Sequence, residues 1–144
     1  MDKKNRLDAY TKTEITTGSP RAVEARALTL GAHKLIHCRD NWESDKTERL
    51  LAEALKYNQK LWSIFQADLS GPGNALPRRL KLDLLGLGAY VDKQIFLIMA
   101  YPSPEKLTPI IDINLGLAEG LKNKPVSMLE PRTDMVPESM EIKA

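Results

Sequence analysis

Residues 50–65 read Leu-Leu-Ala-Glu-Ala-Leu-Lys-Tyr-Asn-Gln-Lys-Leu-Trp-Ser-Ile-Phe, and this stretch decides the fold class. Its apolar residues recur at intervals of three and four, so on a helix they fill an arc of about 180°. The opposite side carries the charged residues Arg49, Glu53, Lys56 and Lys60. A single core contact needs an arc of only about 100°, so the pattern predicts an amphipathic helix with apolar surface to spare.

An earlier helix and a polar interruption precede this helix. Ser19-Pro20 predicts the start of an earlier helix, because the serine oxygen can accept an orphan amide hydrogen bond and proline loses nothing at the first helical position. Apolar residues keep a helical spacing from there to about residue 40. A polar interruption at residues 40–45 follows, and Ser44 is the expected cap of the helix quoted above.

Two more helices are predicted downstream. The breaker-rich segment 69–77 predicts a loop, after which a third helix begins at Pro77 or Arg78 and ends near Tyr101. From residue 80 to 101, 15 of 22 residues are apolar. Because they lie nearly all round the helix, we expect it at the centre of a bundle or with a second buried face. The fourth helix is expected to have Thr108 as its cap and Pro109 at its first position.

No strand-like alternation, hairpin dipeptide or internal repeat is present, so the sequence predicts an all-α fold, a small bundle of about four helices. We expect three parts: an extended N-terminal arm over residues 1–18, a helical domain over 19–121, and a flexible, disordered tail over 122–144. The tail prediction rests on its three prolines, its mixed charges and the loss of apolar periodicity.

Composition excludes several classes of protein. The chain has 144 residues, enough for one domain, and 21 basic against 19 acidic side chains give a net charge of +2. So small a surplus disfavours binding to bulk nucleic acid. The single cysteine, Cys38, excludes intramolecular disulfides and zinc sites that need several cysteines.

The charged residues near the start of the sequence and the short apolar runs indicate where the protein is located in the cell. Seven of the first 14 residues are charged, which leaves no apolar segment for a secretory signal. The longest apolar run covers only residues 95–101, whereas a bilayer span needs roughly 20 residues. We therefore expect a cytoplasmic protein without membrane insertion.

Catalytic and cofactor motifs are missing from the sequence. It has no Gly-x-Ser-x-Gly elbow, P-loop, dinucleotide fingerprint or His-Glu-x-x-His pair, so we expect neither an enzyme nor a bound cofactor. His33 and His37 lie four residues apart near Cys38 and Asp40, a spacing that one metal ion can use. The ligand set is incomplete, and the favoured interpretation is two solvated histidines and no metal site.

Polar residues interrupt the apolar stripes at Asn58, Asn114 and Asp92. A buried amide needs hydrogen-bond partners. The two asparagines either bond to each other or to backbone groups and fix the helix register, or they offer polar contacts in a groove that receives another helix. Asp92 raises the same question on the third helix.

A basic cluster opens the third helix, formed by Arg78, Arg79 and Lys81. It lies at the positive end of the helix dipole, where cations are disfavoured. RNA phosphate or an acidic protein surface could compensate for this, but the alternative is a solvated face, and no aromatic stacking platform lies beside the cluster.

Residues 54–65, Ala-Leu-Lys-Tyr-Asn-Gln-Lys-Leu-Trp-Ser-Ile-Phe, closely resemble the A-L-x-Y-N-x-K-L-W-x-I-F segment of the FlaF family of flagellar biosynthesis regulators of alphaproteobacteria. Shorter matches agree in order, among them Ser19-Pro20-Arg21, Leu76-Pro77 and Asp112-Ile113-Asn114. The resemblance spans about residues 9–121 and leaves out the histidines and the tail.

The resemblance implies a small cytoplasmic helical protein that is needed for flagellin production. The family acts after transcription, opposes the repressor FlbT at flagellin messenger RNA and binds flagellin as a secretion chaperone. We hypothesise that an amphipathic flagellin segment binds around the motif, with Asn58 supplying polar register. The expected contact residues are Tyr57, Asn58, Leu61, Trp62 and Phe65, with secondary contacts at Asn114, Arg78, Arg79 and Lys81.

The sequence leaves three alternatives open. The motif aromatics have the spacing of a bundle core as well as that of a binding face. The protein could instead regulate translation by contacting flagellin messenger RNA through the basic cluster, although the near-neutral charge disfavours this. It could also act as an adaptor only through FlbT, with no contact to flagellin.

Overall fold

A computed structural model describes residues 20–123 of the chain. Within this range the elements are four α-helices and one short 3₁₀ turn, without strands, which confirms the predicted all-α bundle. The predicted arm over residues 1–18, the serine at position 19 that is expected to cap the first helix, and the predicted tail beyond residue 123 lie outside the described residues. The elements are α1 (Pro20–Asp40), α2 (Thr47–Ser70), α3 (Arg78–Ala100), the 3₁₀ turn (Pro104–Leu107) and α4 (Thr108–Asn123).

Helix α1 lies between α4 and α2. Its most extensive contact is with α4, and it also packs on α2 and on the 3₁₀ turn. Helix α3 packs mainly against α2 and touches α4 and the turn only slightly, so it lies at the edge of the bundle. The largest fully buried apolar side chains are Trp62, Leu28, Leu35, Ile95, Ile98, Leu107 and Ile110.

The start of α2 differs from the sequence prediction. Ser44 does not cap it: the helix begins at Thr47, and the Ser44 hydroxyl oxygen accepts a hydrogen bond from the backbone N–H of Lys46. The Thr47 hydroxyl instead lies within hydrogen-bond distance of the carbonyls of Asn41, Trp42 and Ser44. The turn between α1 and α2 is thus closed by a threonine on α2 rather than by an N-cap serine.

The end of α2 also lies beyond its predicted boundary. Leu69 and Ser70 are still helical, although the breaker-rich segment was expected to begin at residue 69. Leu69 is buried, so its apolar contacts favour two more helical residues before Gly71. The loop to α3 is correspondingly shorter than predicted.

Thr108 is not the cap of α4. Its backbone is helical, with φ −57° and ψ −44°, and the 3₁₀ turn that starts at Pro104 leads directly into it. Pro109 therefore lies in the first turn of α4, where a missing N–H leaves no helical hydrogen bond unmade. The helix also continues to Asn123, two residues into the segment predicted as tail.

The expected position of α3 at the centre of the bundle, or with a second buried face, is wrong. Only one side of this helix is buried, at Gly88, Val91, Ile95 and Ile98, because α2 is the main neighbour that covers it. The rest of its apolar surface is exposed. Among the described residues, no helix is long and apolar enough to cross a membrane.

Candidate partner-binding site

The central asparagines of α2 and α4 bond to each other. Asn114 donates from Nδ2 to Asn58 Oδ1 at 2.7 Å and to the Leu28 carbonyl at 3.2 Å. Asn58 donates from Nδ2 to the Gly31 carbonyl at 3.1 Å. Both asparagines are fully buried, and their partners satisfy the amides. The interpretation in which they pair with each other and with backbone groups is confirmed.

The indole of Trp62 completes this network. Its Nε1 donates to Asn114 Oδ1 at 3.0 Å, and the side chain is 1% exposed. Asn58 makes a further bond to the Ala54 carbonyl one turn earlier on α2, at 2.9 Å. The side chains of the motif therefore join α2 to α4 across α1, and they fix how the three helices are placed relative to one another.

Gly31 of α1 makes room for the network. A Cβ atom at this position would lie 2.6 Å from Asn58 Oδ1 and 2.9 Å from Asn114 Nδ2. Both distances are shorter than a van der Waals contact allows, so only glycine permits the two amides to meet here. Sequence reasoning missed this residue, because a glycine within a helical pattern carries no sign of what packs on it.

The other motif residues lie on the same side of α2. Leu61 is buried, and Phe65 is half-buried with its ring edge-on to Trp62 at a centroid distance of 5.6 Å. Tyr57 is half-buried and donates from its hydroxyl to the Ala27 carbonyl at 3.1 Å, and burial raises its pKa. Of the five predicted contact residues, Asn58, Leu61 and Trp62 are thus buried, and Tyr57 and Phe65 are partly exposed. The role of the motif in flagellin binding stays a prediction.

The basic cluster is present at the start of α3, but two of its three members have protein partners. Arg79 Nε lies 4.0 Å from Asp83 Oδ2, and Lys81 donates from Nζ to the Asn74 carbonyl at 3.0 Å. Arg78 is exposed. Lys81 therefore ties the α2–α3 loop to α3. Asn114, the fourth residue expected to make secondary contacts, is buried in the network described above and shares no surface with the cluster.

The histidines of α1 are exposed, whereas Cys38 is buried between the helices, and burial raises the pKa of its thiol. His37 Nδ1 lies 3.3 Å from Asn41 Nδ2. Over residues 20–123, no three side chains of the ligating types come together as a metal site requires.

Asp92 is exposed, so this carboxylate of α3 is not a buried polar group. Its Oδ2 accepts a hydrogen bond from Gln66 Nε2 of α2 at 3.1 Å. Because Gln66 itself is only half-buried, this contact lies at the edge of the α2–α3 interface.

Of the seven large apolar side chains that are exposed over residues 20–123, four lie on α3. We give the name α3 seam to a row of six residues on the outward side of this helix, Leu82, Gly86, Ala89, Lys93, Phe96 and Ala100. They follow one another at alternating intervals of four and three residues, and all six are exposed. Phe96 is 69% exposed and Leu82 is 51% exposed. Met99 and Tyr90 flank the seam with 63% and 43% exposure.

Part of this surface was visible in the sequence. Leu82 and Tyr90 fall outside the apolar stripe of the third helix, which signalled a second apolar side. Helical periodicity does not say whether a second side is covered by another helix, and no candidate contact residue was assigned there. The seam was therefore missed as a site.

Comparison with known proteins gives one match. The family described as Flagellar protein FlaF matches residues 6–121, which is most of the chain. Searches of the curated proteins and of the solved structures gave no significant match. The family match covers the buried Asn58–Trp62–Asn114 network and the whole of α3. The chain therefore belongs to the FlaF family of flagellar proteins.

Proposed function

We propose that this FlaF-family protein acts in the cytoplasm as a flagellin-binding chaperone. It would support flagellin synthesis and secretion after transcription, in opposition to the repressor FlbT. Membership of a flagellar family supports the general assignment. The observation that carries the binding role is the exposed apolar surface along α3, with Phe96 at its most exposed point.

Exposed apolar surface of this kind favours a protein partner. Small monomeric proteins rarely expose contiguous apolar patches, and those that do commonly use them for binding. The α3 seam follows a helix over about five turns, which is the form of surface that receives an amphipathic helix. Terminal segments of flagellin are amphipathic and must be shielded before export, so they have the matching chemistry.

The contact surface in this proposal is the α3 seam rather than the buried part of the family motif. Asn58 and Trp62 have their polar atoms paired inside the bundle, and a partner would have to break those bonds to reach them. Their contribution is structural: they hold α2, and α3 rests on α2. Tyr57 and Phe65 keep partial exposure and remain candidates for an additional contact at the motif.

The alternative in which the protein contacts flagellin messenger RNA has weaker support. A phosphate-binding site needs several available cations, and two of the three clustered cations contact Asp83 and Asn74. The net charge of +2 adds little general attraction to RNA. An adaptor that acts only through FlbT would use the same exposed surface for a different protein.

The test is co-purification of the full chain with full-length flagellin, before and after ribonuclease treatment. A chaperone is expected to retain flagellin after ribonuclease treatment and in high salt, because apolar contacts are not screened. Binding to FlbT but not to flagellin would contradict the proposal. So would a mobility shift with flagellin leader RNA that weakens steeply with salt, if no flagellin complex forms.

A further inference from the structure

The α3 seam contains a single charge. Lys93 lies at the middle of the seam, between Ala89 and Phe96, and it forms no ion pair or hydrogen bond with any residue in the range 20–123. Its neighbour Asp92 lies about 100° round the helix and bonds to Gln66. The one cation of the seam therefore faces outward without a partner from this part of the chain.

We propose that the partner of the seam is a single α-helix that carries an acidic residue opposite Lys93 and bulky apolar residues opposite Gly86 and Ala89. This inference rests on the proposed function, and it specifies the chemistry of the flagellin segment that would bind. It follows from the spacing, the side-chain sizes and the charge of the seam.

The spacing of the seam indicates that the partner is a helix. Intervals of four and three residues give the average period of 3.5 that two helices share when they pack side by side. From Leu82 to Ala100 the seam extends for about 27 Å at 1.5 Å per residue. A partner helix of about 18 residues would cover it.

The sizes of the side chains indicate where the partner must be large and where it must be small. Gly86 and Ala89 have little or no side chain in one half of the seam, and a Cβ atom at Gly86 would meet no other atom within 4 Å. Phe96 stands out from the other half. Close packing therefore needs bulky apolar residues over Gly86 and Ala89 and small residues over Phe96.

The charge of the seam selects among partners. When a helix covers the seam, the ammonium group of Lys93 loses water, and an unpaired cation in an apolar contact is strongly unfavourable. A carboxylate at the same level restores a partner and fixes the register of the two helices. A second copy of this chain lacks that group, because no acidic residue belongs to the seam. In an antiparallel pair centred on the seam, Lys93 of one copy would lie opposite Ala89 of the other, which leaves both lysines without a carboxylate.

The experiment uses three synthetic 21-residue amphipathic helices with leucines along the seam and alanine opposite Phe96. They differ only in the central seam residue, which is Glu, Gln or Lys. Titrated into the full chain, the Glu peptide is expected to bind at least ten-fold more tightly than the Lys peptide, with the Gln peptide between them. In the Lys93→Glu variant this order is expected to reverse. Equal affinities, or no binding of the Glu peptide, would overturn the inference.

Full-length flagellin provides the second arm of the test. Lys93→Glu is expected to weaken flagellin binding at least ten-fold and Lys93→Gln by less, while the thermal unfolding of both variants stays unchanged because Lys93 is exposed. Flagellin that binds Lys93→Glu as tightly as the unmodified chain overturns the inference and leaves the proposed function standing. Selective binding of the Glu peptide without any binding of flagellin overturns the proposed function and supports the inferred chemistry of the seam.

Discussion

At the scale of the residue, the bundle depends on one polar network in an apolar core. Asn58 and Asn114 interrupt the apolar stripes of their helices, and that interruption predicted a buried, hydrogen-bonded pair. The sequence could not show that Trp62 joins them or that Gly31 opens the space, because both depend on how three helices meet. Local periodicity predicts which residues turn inward, and tertiary packing decides which of them touch.

Gly31→Ala tests this network directly. The added methyl group would collide with both amides, so we expect the free energy of unfolding to fall by about 1–3 kcal/mol. Gly116→Ala is the matched control, because a Cβ atom there meets nothing within 4 Å. It should stabilise its helix by about 0.5–1 kcal/mol. Urea unfolding of both variants measures the difference, and two equal shifts of the same sign would refute the close approach at Gly31.

The raised pKa of Glu24 predicts how the stability of the folded protein depends on pH. Burial raises its pKa above the ordinary 4.5, the cation of Arg21 acts in the opposite direction, and the carboxylate of Asp68 adds to the rise. The folded protein therefore binds more protons than the unfolded chain as pH falls towards 4.5. This carboxylate accordingly makes folding less favourable as pH rises through its raised pKa.

We expect Glu24→Gln to be more stable than the unmodified chain at pH 7 and to lose that advantage at pH 3, where Glu24 is protonated in both states. Urea unfolding across this pH range measures the effect, with Glu53→Gln, an exposed position on α2, as the control. A variant that is less stable at pH 7 would show that the ion pair with Arg21 outweighs the cost of burial.

At the scale of the element, helical periodicity predicts all four helices but misplaces several ends. α1 and α3 begin or end close to the expected residues, since proline marks their boundaries. The start of α2 and the entry to α4 were misplaced because a side chain or a 3₁₀ turn replaces the simple N-cap. These replacements for the N-cap depend on contacts between residues on either side of the turn. A local sequence pattern does not show such contacts.

Thr47→Val tests the corrected start of α2. Valine keeps the shape of the side chain and removes the hydroxyl that reaches the carbonyls of the α1–α2 turn, so we expect a loss of about 1 kcal/mol in stability. Ser44→Ala should cost less than about 0.5 kcal/mol, because the one hydrogen bond of the Ser44 side chain is exposed. Thermal unfolding distinguishes the two, and a larger loss at Ser44 would restore that residue as the cap.

At the scale of the whole molecule, the position of α3 separates the core from the surface. An apolar residue on α2 and one on α3 look the same in the sequence, yet Trp62 is 1% exposed and Phe96 is 69% exposed. The sequence therefore predicts surplus apolar surface but not which helix exposes it. Of the predicted contact residues, Asn58, Leu61 and Trp62 are buried, and their role in flagellin binding stays a prediction. Which helices lie at the edge of the bundle depends on which helices pack against each other.

Flagellin binding through α3 is best tested by the affinity of full-length flagellin for two surface variants, measured by calorimetry. Phe96→Glu places a charge on the α3 seam. Leu30→Glu is the control: it places the same charge at an apolar residue of another helix, α1, and Leu30 is 48% exposed. We predict at least ten-fold weaker binding for Phe96→Glu, equivalent to about 1.4 kcal/mol, and a change of less than about two-fold for Leu30→Glu. Unchanged affinity in Phe96→Glu, or an equal loss in both variants, would contradict flagellin binding through α3.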